Sequence, residues 1–149
     1  MSKFTICAVL ALSVLAGPTG LAAQDVAAQD VQEKLITIEL NKMQQSQSGC
    51  RLSFMAVNRL GAGLDRTALE IVVFDSEGIV SQTLVLDFGR LPEDKTKVVE
   101  FDLPRQCEEI SRVLVNDVSE CAGPSEEDLA EECLNALRIS NRAAIEFGI

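Results

Sequence analysis

The stretch EIVVFDSEGIV, Glu70 to Val80, admits two readings that lead to different proteins. Asp75-Ser76-Glu77-Gly78 is either a cation-binding loop carried on a strand or the turn of a β-hairpin. A calcium loop of the EF-hand kind needs oxygen ligands at several fixed steps, a distant Glu and flanking helices. Here Asp75 and Glu77 stand alone, and Ile79, Val80 and Ser81 follow Gly78. Gly78 suits a turn position that needs positive φ, and the apolar runs on either side suit paired strands. The stretch reads as a hairpin turn.

Working outward, apolar residues recur at strand spacing on both sides. Ile36, Ile38 and Leu40 alternate with Thr37, Glu39 and Asn41, and Leu52, Phe54 and Ala56 with Arg51, Ser53 and Met55. Leu69 to Phe74 is almost continuously apolar, as in a central strand covered on both faces. Gln82, Leu84, Leu86 and Phe88 form one further alternating set, and Val99, Phe101 and Leu103 another. Ile110 to Val118 is the last. Six or seven short strands with no helical pattern between them predict an all-β, antiparallel, immunoglobulin-like sandwich.

After Gly123-Pro124 the period changes. Ser125 with Asp128 three residues on resembles a helix N-cap, and Leu129, Cys133 and Leu137 recur every four residues. The spacing predicts a short C-terminal helix over about Glu126 to Leu137. The organisation expected is a signal peptide (1–23), a flexible leader (24–34), the sandwich (35–122), and a disulfide-tethered helix and tail (123–149).

The start of the chain reads as an export signal. Lys3 precedes twelve apolar or small residues, Phe4 to Leu15, and Gly20-Leu21-Ala22-Ala23 leads to cleavage between Ala23 and Gln24. The apolar run is short of the roughly 20 residues of a membrane-spanning helix. Cys7 lies inside it, which opposes a lipoprotein anchor, and no Arg-Arg pair supports a twin-arginine route. The expected location is the periplasm after Sec-type export, with no membrane insertion after cleavage.

Composition narrows the chemistry. The chain has 23 acidic and 13 basic residues, a formal charge of −10, and no histidine, tryptophan or tyrosine. An acidic surface opposes nucleic-acid binding, which rests on Lys and Arg contacts to phosphate. Without histidine there is no Ser-His-Asp or Cys-His hydrolase, and the commonest transition-metal ligand is missing. Neither a dinucleotide fingerprint nor a phosphate-binding P-loop occurs. No enzyme activity and no cofactor are expected.

Cys50, Cys107, Cys121 and Cys133 are an even set in a chain expected to be exported, so disulfides are the default. Cys107 and Cys121 flank nine extended residues spanning about 30 Å. A disulfide tolerates only about 4.4–6.8 Å between Cα atoms, so these two do not pair. Alternating strand directions place Cys50 and Cys107 at one end and Cys121 with Cys133 at the other, predicting Cys50–Cys107 and Cys121–Cys133.

Asn58, Phe74-Asp75, Gly78 and Leu91-Pro92 occupy places that resemble the FxLYD-like group of exported bacterial β-sandwich domains. Phe74 stands where that group has tyrosine. Gly49-Cys50, Arg112 to Val118, Cys121 and Cys133 are similar to small periplasmic proteins of alphaproteobacteria with such a sandwich. The resemblance implies fold and compartment and brings no catalytic residue. The function expected is a non-catalytic exported binding or accessory module recognising another envelope protein. The loop Asn58 to Thr67 and the acidic helix are its first candidate surfaces. The alternative is divalent-cation binding by surface carboxylates such as Glu126-Glu127-Asp128 and Glu131-Glu132.

Overall fold

The computed structural model describes residues 33–149. The expected signal peptide, its cleavage between Ala23 and Gln24, and leader residues 24–32 lie outside the described residues. The chain forms β1 (Leu35–Ser46), β2 (Gly49–Arg59), β3 (Arg66–Phe74), β4 (Val80–Asp87), β5 (Thr96–Leu103), β6 (Arg112–Ala122), α1 (Ala130–Ala136), β7 (Leu137–Asn141) and β8 (Glu146–Gly148). They make two four-stranded sheets, ordered β5-β2-β1-β7 and β4-β3-β6-β8. The fold is an all-β sandwich with one short helix near the C-terminus.

Alternation in the sequence becomes the inside and outside of each strand. Ile36, Ile38 and Leu40 of β1, Leu52 and Phe54 of β2, and Leu69, Ile71 and Val73 of β3 are buried in one core. Such burial is the main favourable term in folding, at about 25 cal/mol per Å² of apolar surface. Phe54 lies at the centre, edge-on to Phe88 (5.7 Å), Phe101 (6.0 Å) and Phe147 (5.6 Å). These rings come from β2, the end of β4, β5 and β8, so the C-terminal tail helps to close the core. Val72 points outward and is nonetheless 9% exposed. Its cross-strand partners Thr83 and Leu114 flank it. The expected cover on both faces of β3 is supplied on the outer side by neighbours within the sheet.

Three expectations differ from the structure: the number of strands, their wholly antiparallel pairing and the extent of the helix. The strand order is not sequential. Two hairpins, β1–β2 and β3–β4, come first along the chain; β5 pairs with β2 and β6 crosses back to pair with β3. Both returns are antiparallel, so the ends of the strands fall where simple alternation would put them. Eight strands rather than six or seven are present, and the pairing is not wholly antiparallel. β7 joins β1 in parallel and β8 joins β6 in parallel. The tail therefore belongs to both sheets.

The helix is also shorter than Glu126 to Leu137. Before it can start, the chain folds back on β6. Asp128 bridges Ala122, and the Leu129 amide donates to the Cys121 carbonyl (2.8 Å). Glu126 takes positive φ in that turn, and Ser125 caps nothing. Leu137, expected on the helix, is already the first residue of β7, opposite Ile36.

Cys50 bonds Cys107 with Cα atoms 4.7 Å apart, and Cys121 bonds Cys133 at 6.5 Å. The first pair follows from register, because Cys50 stands opposite Leu103 and Cys107 lies just beyond the end of β5. At the same corner Gly49 has φ 132°, and a Cβ there would run into the Leu103 carbonyl oxygen. Only glycine fits that approach. No helix among the described residues is long and apolar enough to cross a membrane.

Candidate functional site

The Asp75 carboxylate is engaged in its own turn. Its Oδ1 accepts from the Glu77 and Ile79 amides (both 2.9 Å), while the Asp75 carbonyl accepts from Gly78. Gly78 has φ 78°. This is an Asp-stabilised β-turn joining β3 to β4.

The loop Asn58 to Thr67 is a fixed structure built around one buried amide. Asn58 is fully buried at the end of β2. Its Nδ2 donates to the carbonyls of Ala62 (2.8 Å) and Leu91 (3.0 Å), and its Oδ1 accepts from the Leu60 amide (3.0 Å). Its own carbonyl accepts from Asp94. Leu64 pairs through both backbone bonds with Leu91, and Leu60 and Leu64 are buried. Buried polar groups are costly unless bonded, and here three side-chain bonds satisfy Asn58 while anchoring two loops to one point.

That anchored loop and α1 border one open groove of about 590 Å³ at this end of the sandwich. Leu60 and Ala136 supply apolar wall, and Glu131, Glu132, Lys34 and Arg138 supply charge. Lys34 lies 3.6 Å from Glu132, and Arg138 lies 3.1 Å from Glu33. Among the described residues Glu131 has no ion-pair partner. The two surfaces singled out in the sequence thus meet at one place. Leu60 belongs to the loop singled out in the sequence, whereas Lys34 and Arg138 were not singled out, since their approach depends on β1 lying between β2 and β7. Asn58 carried a local signal, as an Asx residue between a strand and a glycine-rich loop.

Several other carboxylates sit in structural pairs. Arg51 holds the Asp102 carboxyl below its ordinary range through a hydrogen bond (2.8 Å), and Ser48 adds a second. Asn41 holds Glu39 below its ordinary value through a 2.7 Å bond, against some burial, with Arg142 and Ser140 adding to the effect. Arg66 binds Glu120 and lies 3.8 Å from Glu126. Asp128 accepts from the Ala130 amide. Among the described residues no three Asp, Glu or Cys groups converge as cation ligands. These pairs join neighbouring strands and turns. No family model, no curated protein and no solved structure matches the chain.

Proposed function

We propose that this chain is an exported, non-catalytic recognition module that binds another protein of the cell envelope through the groove between the Asn58-anchored loop and α1. The observation that carries the reading is the convergence of that loop and that helix on one groove, with an apolar wall beside Glu131, which has no ion-pair partner among the described residues. Export to the periplasm is supported by the N-terminal pattern of Lys3 and Phe4 to Leu15, and by two disulfides, which persist in oxidising compartments. A wall of this kind suits a partner that presents a basic side chain next to an apolar one, because rim charges set orientation while apolar contact supplies affinity.

The test is photo-crosslinking from Asn135, an exposed residue of the groove, in the native cell envelope, with the captured species identified by mass spectrometry. One dominant protein is expected, lost with Glu131→Lys and retained with Glu77→Lys at the distant β3–β4 turn. Equal capture in both variants would remove the groove from the proposal.

A further inference from the structure

The two disulfides differ in what a reagent can touch. Cys121 and Cys133 are each 1% exposed, and Cys50, at the start of β2, is 0% exposed. Cys107 alone of the four is half-buried. It lines an open groove of about 460 Å³ whose apolar wall includes Met43, Ile110 and Ile145. One member of a bonded pair thus meets solvent while its partner is enclosed. The Cys121–Cys133 pair is enclosed on both sides, between β6 and α1, so a reagent reaches it only when α1 lifts away.

The surroundings of Cys50–Cys107 do not depend on the bond. The β2–β5 ladder runs from Cys50↔Leu103 to Val57↔Thr96 on backbone pairing alone. Beyond β5, the Cys107 amide donates to Gln45 Oε1 (2.9 Å), and its carbonyl accepts from the Ile110 amide (3.1 Å). Ile110 itself is buried in the core. These contacts keep both cysteines in place when the sulfurs part.

We infer that Cys107 is a thiol-exchange site, at which a dithiol opens the Cys50–Cys107 bond of the folded protein. The first thiolate of the dithiol bonds to the Cys107 sulfur, and the S–S bond breaks with its electron pair on Cys50, which takes a proton from water. The second thiolate then attacks the dithiol's own sulfur in this mixed disulfide and expels Cys107 as a thiolate. The dithiol leaves oxidised, and two electrons have passed to the cysteine pair. Burial closes attack at Cys50, so the mixed disulfide forms on Cys107 alone. A monothiol stops at that first step, and Cys50, with its Cα 4.7 Å from that of Cys107, is placed to expel it and restore the bond. The site lies at the opposite end of β2 from Asn58, so this inference stands independently of the recognition reading.

The test is incubation of the folded, oxidised protein with glutathione or with dithiothreitol, followed by an acid quench and peptide mapping. Glutathione is expected on Cys107 and on no other cysteine of the two bonds. Dithiothreitol should open Cys50–Cys107 about tenfold or more faster than Cys121–Cys133, because access sets the rate of exchange. That rate should not change with small additions of urea, whereas a route through unfolding accelerates steeply. Cys50→Ser and Cys107→Ser each leave one thiol of the pair: iodoacetamide should label Cys107 in the folded protein and Cys50 only on unfolding. The wild-type rates keep the test open if either variant does not fold. Glutathione on Cys50, equal rates at the two bonds, or a Cys50–Cys107 rate that climbs with urea would each overturn the inference.

Discussion

The two disulfides lie in regions that use a covalent bond for opposite purposes. Cys50–Cys107 sits over the β2–β5 ladder, where eight register pairs from Cys50↔Leu103 to Val57↔Thr96 already fix the strands. Cys121–Cys133 sits where little else holds the chain. Between β6 and β7 stands only a seven-residue helix, and the two strands beyond it have five and three residues. A helix of that length is marginal in water on its own. The first bond fastens an element already complete, whereas the second reinforces a tail whose own ladders run to only five and three pairs.

The two bonds should therefore fail differently. In the chain-entropy account a disulfide stabilises by restricting the unfolded chain, more for a longer loop, and these enclose separations of 57 and 12 residues. Cys50→Ser with Cys107→Ser should cost about 4 kcal/mol, and all probes should unfold together at a lower denaturant midpoint. Cys121→Ser with Cys133→Ser should cost about 3 kcal/mol. Its signature is local: hydrogen exchange in α1, β7 and β8 should rise well before exchange in the β1–β2 and β3–β4 hairpins. Uniform loss of protection in the second variant would break the comparison. It would mean that Phe147, packed 5.6 Å from Phe54, already makes the tail one cooperative unit with the core.

Asn58 sharpens the contrast on the side of the ladder. It anchors the groove loop with no covalent help, through bonds to Leu60, Ala62 and Leu91. Asn58→Ala leaves the Leu60 amide and the Ala62 carbonyl without their partner, while the Leu91 carbonyl keeps Leu64, and should cost about 2 kcal/mol. Exchange at Leu60 and Leu64 should rise while α1 keeps its protection. If α1 loosened as well, the groove would owe its shape to the contact between loop and helix.

The same division separates what could be read in the sequence from what could not. The hairpin at Asp75, the inward faces of β1 to β6 and the change of pattern at Gly123-Pro124 follow from short-range patterns: alternation, a glycine at a turn, a Gly-Pro break. The expected boundary at 122 does not hold for the sheets, because β7 and β8 join them. Cysteine pairing was legible because strand length and disulfide reach are both fixed distances. The tail was not. RISNRAAIEFGI has no sustained alternation, and its parallel pairing uses backbone groups that β1 and β6 leave open, which no side-chain pattern announces. Ser125-x-x-Asp128 satisfies the cap rule locally, yet the fold-back onto Cys121 takes precedence. The groove was legible only as two separate pieces, since its existence depends on sheet order.

Acid offers the finest comparison, because each region contains one carboxyl held below its ordinary value. Asp102, ordinarily at 3.8, belongs to the ladder through Arg51. Glu39, ordinarily at 4.5, is lowered first by Asn41 on β1 and then by Arg142 and Ser140 of the tail. Each binds its proton more weakly in the folded protein than in the unfolded chain, so unfolding takes up protons in that range. The stabilisation is complete above the ordinary values and is lost as pH falls through the lower folded ones. Both groups meet solvent, which screens them, so the effect should be smaller than that of Asn58→Ala. Between pH 5 and the acid limit, exchange in β7 should accelerate as Glu39 takes its proton, and Glu39→Gln should flatten that dependence. Asp102→Asn should flatten only the acid dependence of global unfolding, because Arg51 and Asp102 join strands that open together. If Glu39→Gln altered global unfolding and left β7 unchanged, its bond to Asn41 would be the one that matters, and the tail would be held by Cys121–Cys133 and Phe147 without electrostatic help.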